Sequence, residues 1–271
     1  MNLAVVGRTT RDTLPLLLVT LVSILVFEIF FVRVMSELAT ELLGFWTRQP
    51  GLKRLIQMLV GGEVDLGISS TGLITIGFVH PLLFALTWTF VLTSSSRVIA
   101  AEIDRGTADL LLALPISRAS YYLSVSAVWL VCTALLAGAP LLGVWLGERQ
   151  CALEAPLDYA KLALVGVNFL LLLLAIFSAG MLASACSSRR SAAIAVVLGG
   201  LLVSLLINFL AQFWPPAEPF GFLGLLDYYR PLNVVRTSTL SPRDLAVLLG
   251  IAALCWLGGL WRFCARDIPA A

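Results

Sequence analysis

Charge is scarce in this sequence. Only 13% of its 271 residues are Asp, Glu, Lys or Arg, whereas a soluble domain uses about a quarter. A water-facing surface is thereby excluded for most of the chain. The 59% hydrophobic content and mean hydropathy of +0.97 make lipid the solvent. The 18 basic and 16 acidic residues nearly cancel, which leaves no electrostatic footprint for a nucleic acid.

Lysine is rarer still. Lys53 in GLKRL and Lys161 in YAKLA are the only two lysines, and neither has the glycines of a GxxxxGK(S/T) phosphate-binding loop. ATP hydrolysis by the usual route is excluded. The single histidine, His80, precedes Pro81 inside an apolar run, with no HExxH, GxSxG or cluster of acids to accompany it. A metal-dependent or nucleophilic enzyme therefore has no signature here, and His80 reads as a kink residue with a hydrogen-bonded or pathway-facing imidazole. Cys132, Cys151, Cys186, Cys255 and Cys264 are odd in number and lack CxxC spacing, so they read as small apolar residues and not as a disulfide or metal set.

Long apolar runs are what the chain does have. A helix needs about 20 mostly apolar residues to cross a bilayer, and six stretches qualify: 14–34, 71–93, 121–146, 160–185, 192–213 and 244–263. Lipid offers no partner to free backbone groups, so each is expected to be a helix. The fold class is an all-α integral membrane protein. Pro15 falls in the expected first turn of span one. Asp158 and Asp244 stand where spans four and six begin. The first run is long and has no small-x-small site after it, so it is expected to remain as an uncleaved span.

An even number of spans puts both termini on one side. With Arg8, Arg11, Arg97, Arg105, Arg118, Arg189, Arg190, Arg262 and Arg266, that side holds half of the 18 basic residues, mostly in short flanks. The rest lie chiefly in two longer loops, which count for less, so the termini are expected to be cytoplasmic. Loop 35–66 has Leu38, Leu42 and Phe45, then Leu52, Leu55, Ile56 and Leu59, at helical spacing, and predicts two short amphipathic helices on the membrane surface. Loop 214–243 is rich in Pro, Gly and aromatics and predicts an irregular, partly re-entrant cap.

Segment 97–120 contains a polar stretch, AEIDRGTADLLLALPISRAS (101–120), between spans two and three. Gly106 disfavours a continuing helix. Thr107 can cap a new one, with Asp109 in its first turn, and Pro115 stops it. Ser117 can cap span three. The short helix would show Leu110, Leu111 and Leu114 on one face, for burial on the membrane surface or in a groove of another protein.

The run from Glu102 to Arg118 resembles the pattern E-x3-G-T-x3-L-L-x2-P-x2-R, found between helices two and three in permeases of the ABC type-2 exporter family. The matching positions are Glu102, Gly106, Thr107, Leu111, Leu112, Pro115 and Arg118. The C-terminal DYYRPLNVVRTSTLSPRDLAVLL, followed by WRFCARDI, is similar to them as well. The resemblance implies a six-helix half-transporter that pairs with a second copy or a homologous permease. Two separate ATPase subunits, which carry ATP and Mg, would each receive a coupling helix from 101–118. No cofactor is implied on this chain. By this carry-over Glu102 and Arg118 make charge contacts, Gly106 and Thr107 form the bend and cap, Leu111, Leu112 and Leu114 are apolar knobs, and Pro115 is the stop. A bacterial inner membrane is the location that the resemblance implies.

Glu28 is an acid well inside span one. Such residues are expensive and often functional, so an ion-coupled stand-alone transporter is the alternative reading. Interhelical pairing or snorkelling, with Arg33 nearby, is the expected role. Asn168 and Asn208 read as interhelical hydrogen-bonding residues, and Gly199–Gly200 and Gly258–Gly259 as close-packing positions.

Overall fold

The computed structural model describes residues 1–48, 69–106, 116–151, 153 and 155–266. Every regular element among them is helical. The first helix, α1, is Leu3–Arg48. Asn2 starts it: its Oδ1 accepts the N–H groups of Ala4 and Val5 at 2.9 and 3.3 Å, while its own N–H is donated to Ser124 Oγ at 2.7 Å. The helix therefore begins well before residue 14, and Pro15 lies in its interior instead of its first turn. It also runs on through residues 35–48, where a separate amphipathic helix was expected. The sequence has no Gly or Pro between Pro15 and Gly44, and an Arg33–Glu37 pair at 3.3 Å spans the expected break. The second of the two expected helices lies outside the described residues.

The second span is broken, not merely kinked. It comprises α2 (Ser70–Thr75), a 3-10 turn (Ile76–Val79) and α3 (Pro81–Ser95), with a 43° bend between its halves. A residue before proline is pushed out of the helical region, and His80 accordingly has φ −65° and ψ 134°. It caps α3 by accepting the Leu82 N–H on Nδ1 at 3.2 Å.

A short helix α4 (Ala100–Asp104) follows, then α5 (Arg118–Glu148), capped by Ser117, which accepts the Ser120 N–H at 3.2 Å. Helix α6 (Tyr159–Cys186) is capped by Asp158, and α7 (Arg190–Phe213) has no side-chain cap. Two 3-10 stretches, Pro215–Leu223 and Leu225–Tyr228, form the predicted irregular region. They lead to α8 (Pro231–Thr237) and α9 (Pro242–Ala265), with Asp244 in the first turn of α9. Five of these helices are long and apolar enough to cross a membrane, and six spans result if the bent pair counts as one.

Helix α6 is the hub, packed against α3, α5, α7 and α9, while α1 lies along α5. Phe169, Leu172, Leu173 and Ile176 of α6 are fully or almost fully buried. Glycine makes the α1–α5 approach possible: a Cβ at Gly147 would stand 2.8 Å from Val32 Cβ. Gly259 serves the same purpose for α9, since a Cβ there would be 2.4 Å from the Tyr122 hydroxyl. Gly199 and Gly200 have nothing within 4 Å, so only one of the two glycine pairs is used inside the chain. Cys132 is buried as expected, but Cys186 and Cys264 are exposed; all five cysteines are free.

Candidate functional site

The described residues that follow α3 are bonded to neighbouring helices. Gly106 has φ +68°, a left-handed conformation that glycine adopts without the Cβ clash other residues incur, and the chain turns there as expected. Thr107, Leu111, Leu112, Leu114 and Pro115 lie outside the described residues. Glu102 and Arg118 are described, and both are engaged within the chain. Glu102 accepts a hydrogen bond from Arg8 Nη2 at 3.0 Å. Arg118 Nη1 donates to the carbonyl oxygens of Phe263, at 3.2 Å, and Arg266.

Other bonds extend this network. Arg266 is 9% exposed, and its Nη1 donates to the carbonyls of Ala185 and Ser187 at 3.0 and 2.9 Å; its Nη2 donates to Ser188 Oγ at 2.6 Å. Ser184 Oγ accepts the N–H groups of Ile99 and Ala100 at 3.2 and 3.0 Å. Arg190 Nε donates to Ser96 Oγ at 3.2 Å and Nη2 to the Thr93 carbonyl at 3.3 Å. The Tyr121 hydroxyl donates to the Val98 carbonyl at 3.1 Å. Residues 93–102 are thus tied to the adjoining ends of α1, α5, α6 and α7, and Arg118 at the start of α5 ties on the end of α9. Hydrogen bonds to charged donors are worth about 1.5–3 kcal/mol each, so these ends resist separation.

Sequence reasoning missed Arg8, Ser184, Arg190 and Arg266 as members of this site. The three arginines were visible only as topology signals in span flanks, and nothing marks Ser184 among the other small residues of its helix.

A second polar group lies deeper. Glu28 is fully buried, and neither of its carboxylate oxygens has a hydrogen-bond partner among the described residues. It is walled by glycine: a Cβ at Gly143 would stand 2.6 Å from Glu28 Cβ, and one at Gly77 2.9 Å from Oε2. The expected pairing or snorkelling does not occur, because burial between α1, α5 and the 3-10 turn keeps the carboxylate from both water and Arg33, which pairs with Glu37 instead. The His80 ring packs on Phe27 at 4.9 Å between centroids. The Tyr229 hydroxyl donates to the Phe78 carbonyl at 2.9 Å, satisfying a backbone group that the break frees. Burial, and next the charge of Glu28, hold the Tyr229 phenol well above its ordinary pKa, so it remains a donor.

Asn168 Nδ2 donates to the Tyr228 carbonyl at 3.2 Å, while its Oδ1 is buried without a partner. Glu28, His80 and Asn168 therefore gather around the broken span and Tyr228–Tyr229. Asn208 stands apart on α7, where its Oδ1 accepts from Gln212 Nε2 at 3.3 Å. Among the described residues no group of three or more His, Cys, Asp or Glu could hold a metal ion.

The arrangement is that of a helical membrane unit with one bonded polar rim and one buried polar centre. The family model described as "ABC-2 family transporter protein" matches residues 3–268. The chain belongs to the ABC-2 transporter family. No curated protein matches it. As an ABC-2 permease it is a multi-pass membrane component of an ABC transporter, a class of subunit that works with an ABC ATPase in a lipid bilayer.

Proposed function

We propose that this permease forms the pathway of an ABC exporter as a dimer, in a bacterial inner membrane with both termini cytoplasmic. Two ATPase subunits, carrying ATP and Mg, dock at residues 101–118. The observation that carries this reading is the hydrogen-bonded rim: residues 93–102 and Arg118, which lead into and close the stretch that resembles the family's coupling helix, are bonded to α1, α5, α6, α7 and α9. A push on it reaches α1 through Arg8–Glu102, α6 through Ser184, α7 through Arg190, and α9 through Arg118. Such a rim suits rigid-body tilting of packed helices between two arrangements. Glu102, Gly106 and Arg118 hold the segment in place from within, and Leu111, Leu112 and Leu114 are the apolar contacts offered to the ATPase.

The pairing face we assign is α7. Leu202, Val203, Leu206 and Phe209 are all exposed on it, Gly200 is open, and Asn208 and Gln212 bring polar groups to a helix of membrane-spanning length. Small and amide residues are what bring helices together in lipid.

The test is co-purification of the detergent-solubilised permease with the P-loop ATPase encoded beside it. Wild type should retain the ATPase, and Leu111→Asp should lose it while keeping its thermal stability. Equal retention by both would overturn the docking assignment. The fully buried, unpartnered Glu28 beside a broken span supports a second reading, an ion-coupled transporter. That reading predicts substrate movement driven by a proton gradient without any ATPase, and abolished by Glu28→Gln.

A further inference from the structure

A cavity of about 460 Å³ lies between the first turns of α1, residues 97–105 and the start of α5. Its wall has two characters. Val5, Val98, Ile116, Val125 and Trp129 make it apolar, while Arg8, Asp12, Arg97, Glu102 and Arg105 make it charged. The acids are already engaged, since Arg8 lies 3.0 Å from Glu102 and 3.8 Å from Asp12. The other two cations are poorly matched. Arg97 donates Nη1 to the Asp12 carbonyl at 3.2 Å, but its Nε is buried and has no acceptor among the described residues. Arg105 is exposed at the rim. Trp129, only 2% exposed, adds an indole N–H that also lacks an acceptor.

Buried donors without acceptors are costly, and clustered arginines repel one another, so the described residues of this wall favour an anionic ligand. A bare phosphate would satisfy the charge and leave the apolar wall empty. The cavity is lined by the charged flanks of α1 and α5, and charged flanks of membrane-spanning helices sit at headgroup depth. We propose that it binds an anionic phospholipid, with the phosphate on Arg97 and Arg105 and the first part of an acyl chain along Val5, Val98, Val125 and Trp129. A lipid here touches both α1 and the 97–105 segment, so its presence supports the rim that the proposed function uses. Lipid binding does not require an ATPase, and failure of ATPase docking would leave this proposal standing.

Native mass spectrometry of the purified, delipidated protein tests it, with dioleoylphosphatidylglycerol, dioleoylphosphatidylcholine and inorganic phosphate as separate probes. Wild type should bind one phosphatidylglycerol per chain about tenfold more tightly than phosphatidylcholine, given the strength of Arg–headgroup attraction. Arg97→Gln should abolish the preference, and Val125→Trp should block binding with every arginine intact. Arg105→Gln, at the exposed rim where folding is safe, should weaken it roughly fivefold. Arg11→Gln, exposed and outside the cavity, should change nothing. Equal affinity for the two lipids, inorganic phosphate competing as well as lipid, or Arg11→Gln weakening binding as much as Arg105→Gln would each overturn the proposal.

Discussion

Helices α6 and α7 are equally apolar over their best 18 residues, yet 67% of that stretch is buried in α6 and 22% in α7. In water such a difference would be written in the sequence, because an exposed face must be polar. In lipid it is not, since the tails are as apolar as leucine. What separates the two helices is steric and polar detail. Gly180 of α6 meets Ser95, where a Cβ would be 2.1 Å from Oγ, whereas Gly200 of α7 meets nothing within 4 Å. Asn168 of α6 bonds across to the Tyr228 carbonyl, whereas Asn208 bonds only within α7. Asp158 caps α6, and no side chain caps α7.

The strongest way to break the comparison lies on α1, which shows both kinds of face. Glu28→Lys buries a longer, unpaired charge where Gly77 and Gly143 leave no room, and it should cost about 3–5 kcal/mol. Phe30→Leu, at a residue that is 64% exposed, should cost almost nothing; thermal unfolding in detergent reads both. Gly180→Leu comes next, at about 3 kcal/mol from overpacking. Gly200→Leu should leave the monomer's melting temperature unchanged while shifting the proposed dimer toward monomer on size-exclusion chromatography. If the two glycine variants melt alike, the α6–α7 distinction fails.

Asn168→Leu is the third test, with a loss of about 1 kcal/mol, as intramembrane hydrogen bonds are worth. Asn208→Leu should act on dimerisation alone. The smallest effect is at the caps: Asp158→Ala should cost about 0.5 kcal/mol, and Arg189→Ala close to nothing in the same unfolding assay.

Elements dominated by local chemistry were legible in the sequence. A bend at His80–Pro81, though not its extent, the turn at Gly106 and the caps at Ser117 and Asp158 each depend on one or two residues acting on their own backbone. Less legible was whatever depends on a distant partner. Pro15 looks like a helix start, but Asn2 and the packing of α1 on α5 begin the helix earlier. Glu28 looks able to pair with Arg33, but only the fold shows it sealed behind two glycines. Arg118 looks free to reach another protein, and the fold bonds it to the end of α9. The rim is long-range by nature: its bonds join residues 8 and 102, 118 and 266, and 184 and 99. No spacing rule connects such positions.

The central claim of the proposed function is that the rim formed by residues 93–102 and Arg118 carries motion to the helix ends as a unit. Its most direct test uses Cys264, exposed in the last turn of α9 beside the Phe263 carbonyl that Arg118 holds. With the other exposed cysteine removed by Cys186→Ser, a spin label on Cys264 reports the distance between the two copies in the assembled transporter, without nucleotide and with ATP and vanadate. That distance should change in the wild type, and it should stay fixed in Arg118→Ala although the ATPase still co-purifies. An identical change in Arg118→Ala would contradict the account, because the rim would then not carry the motion.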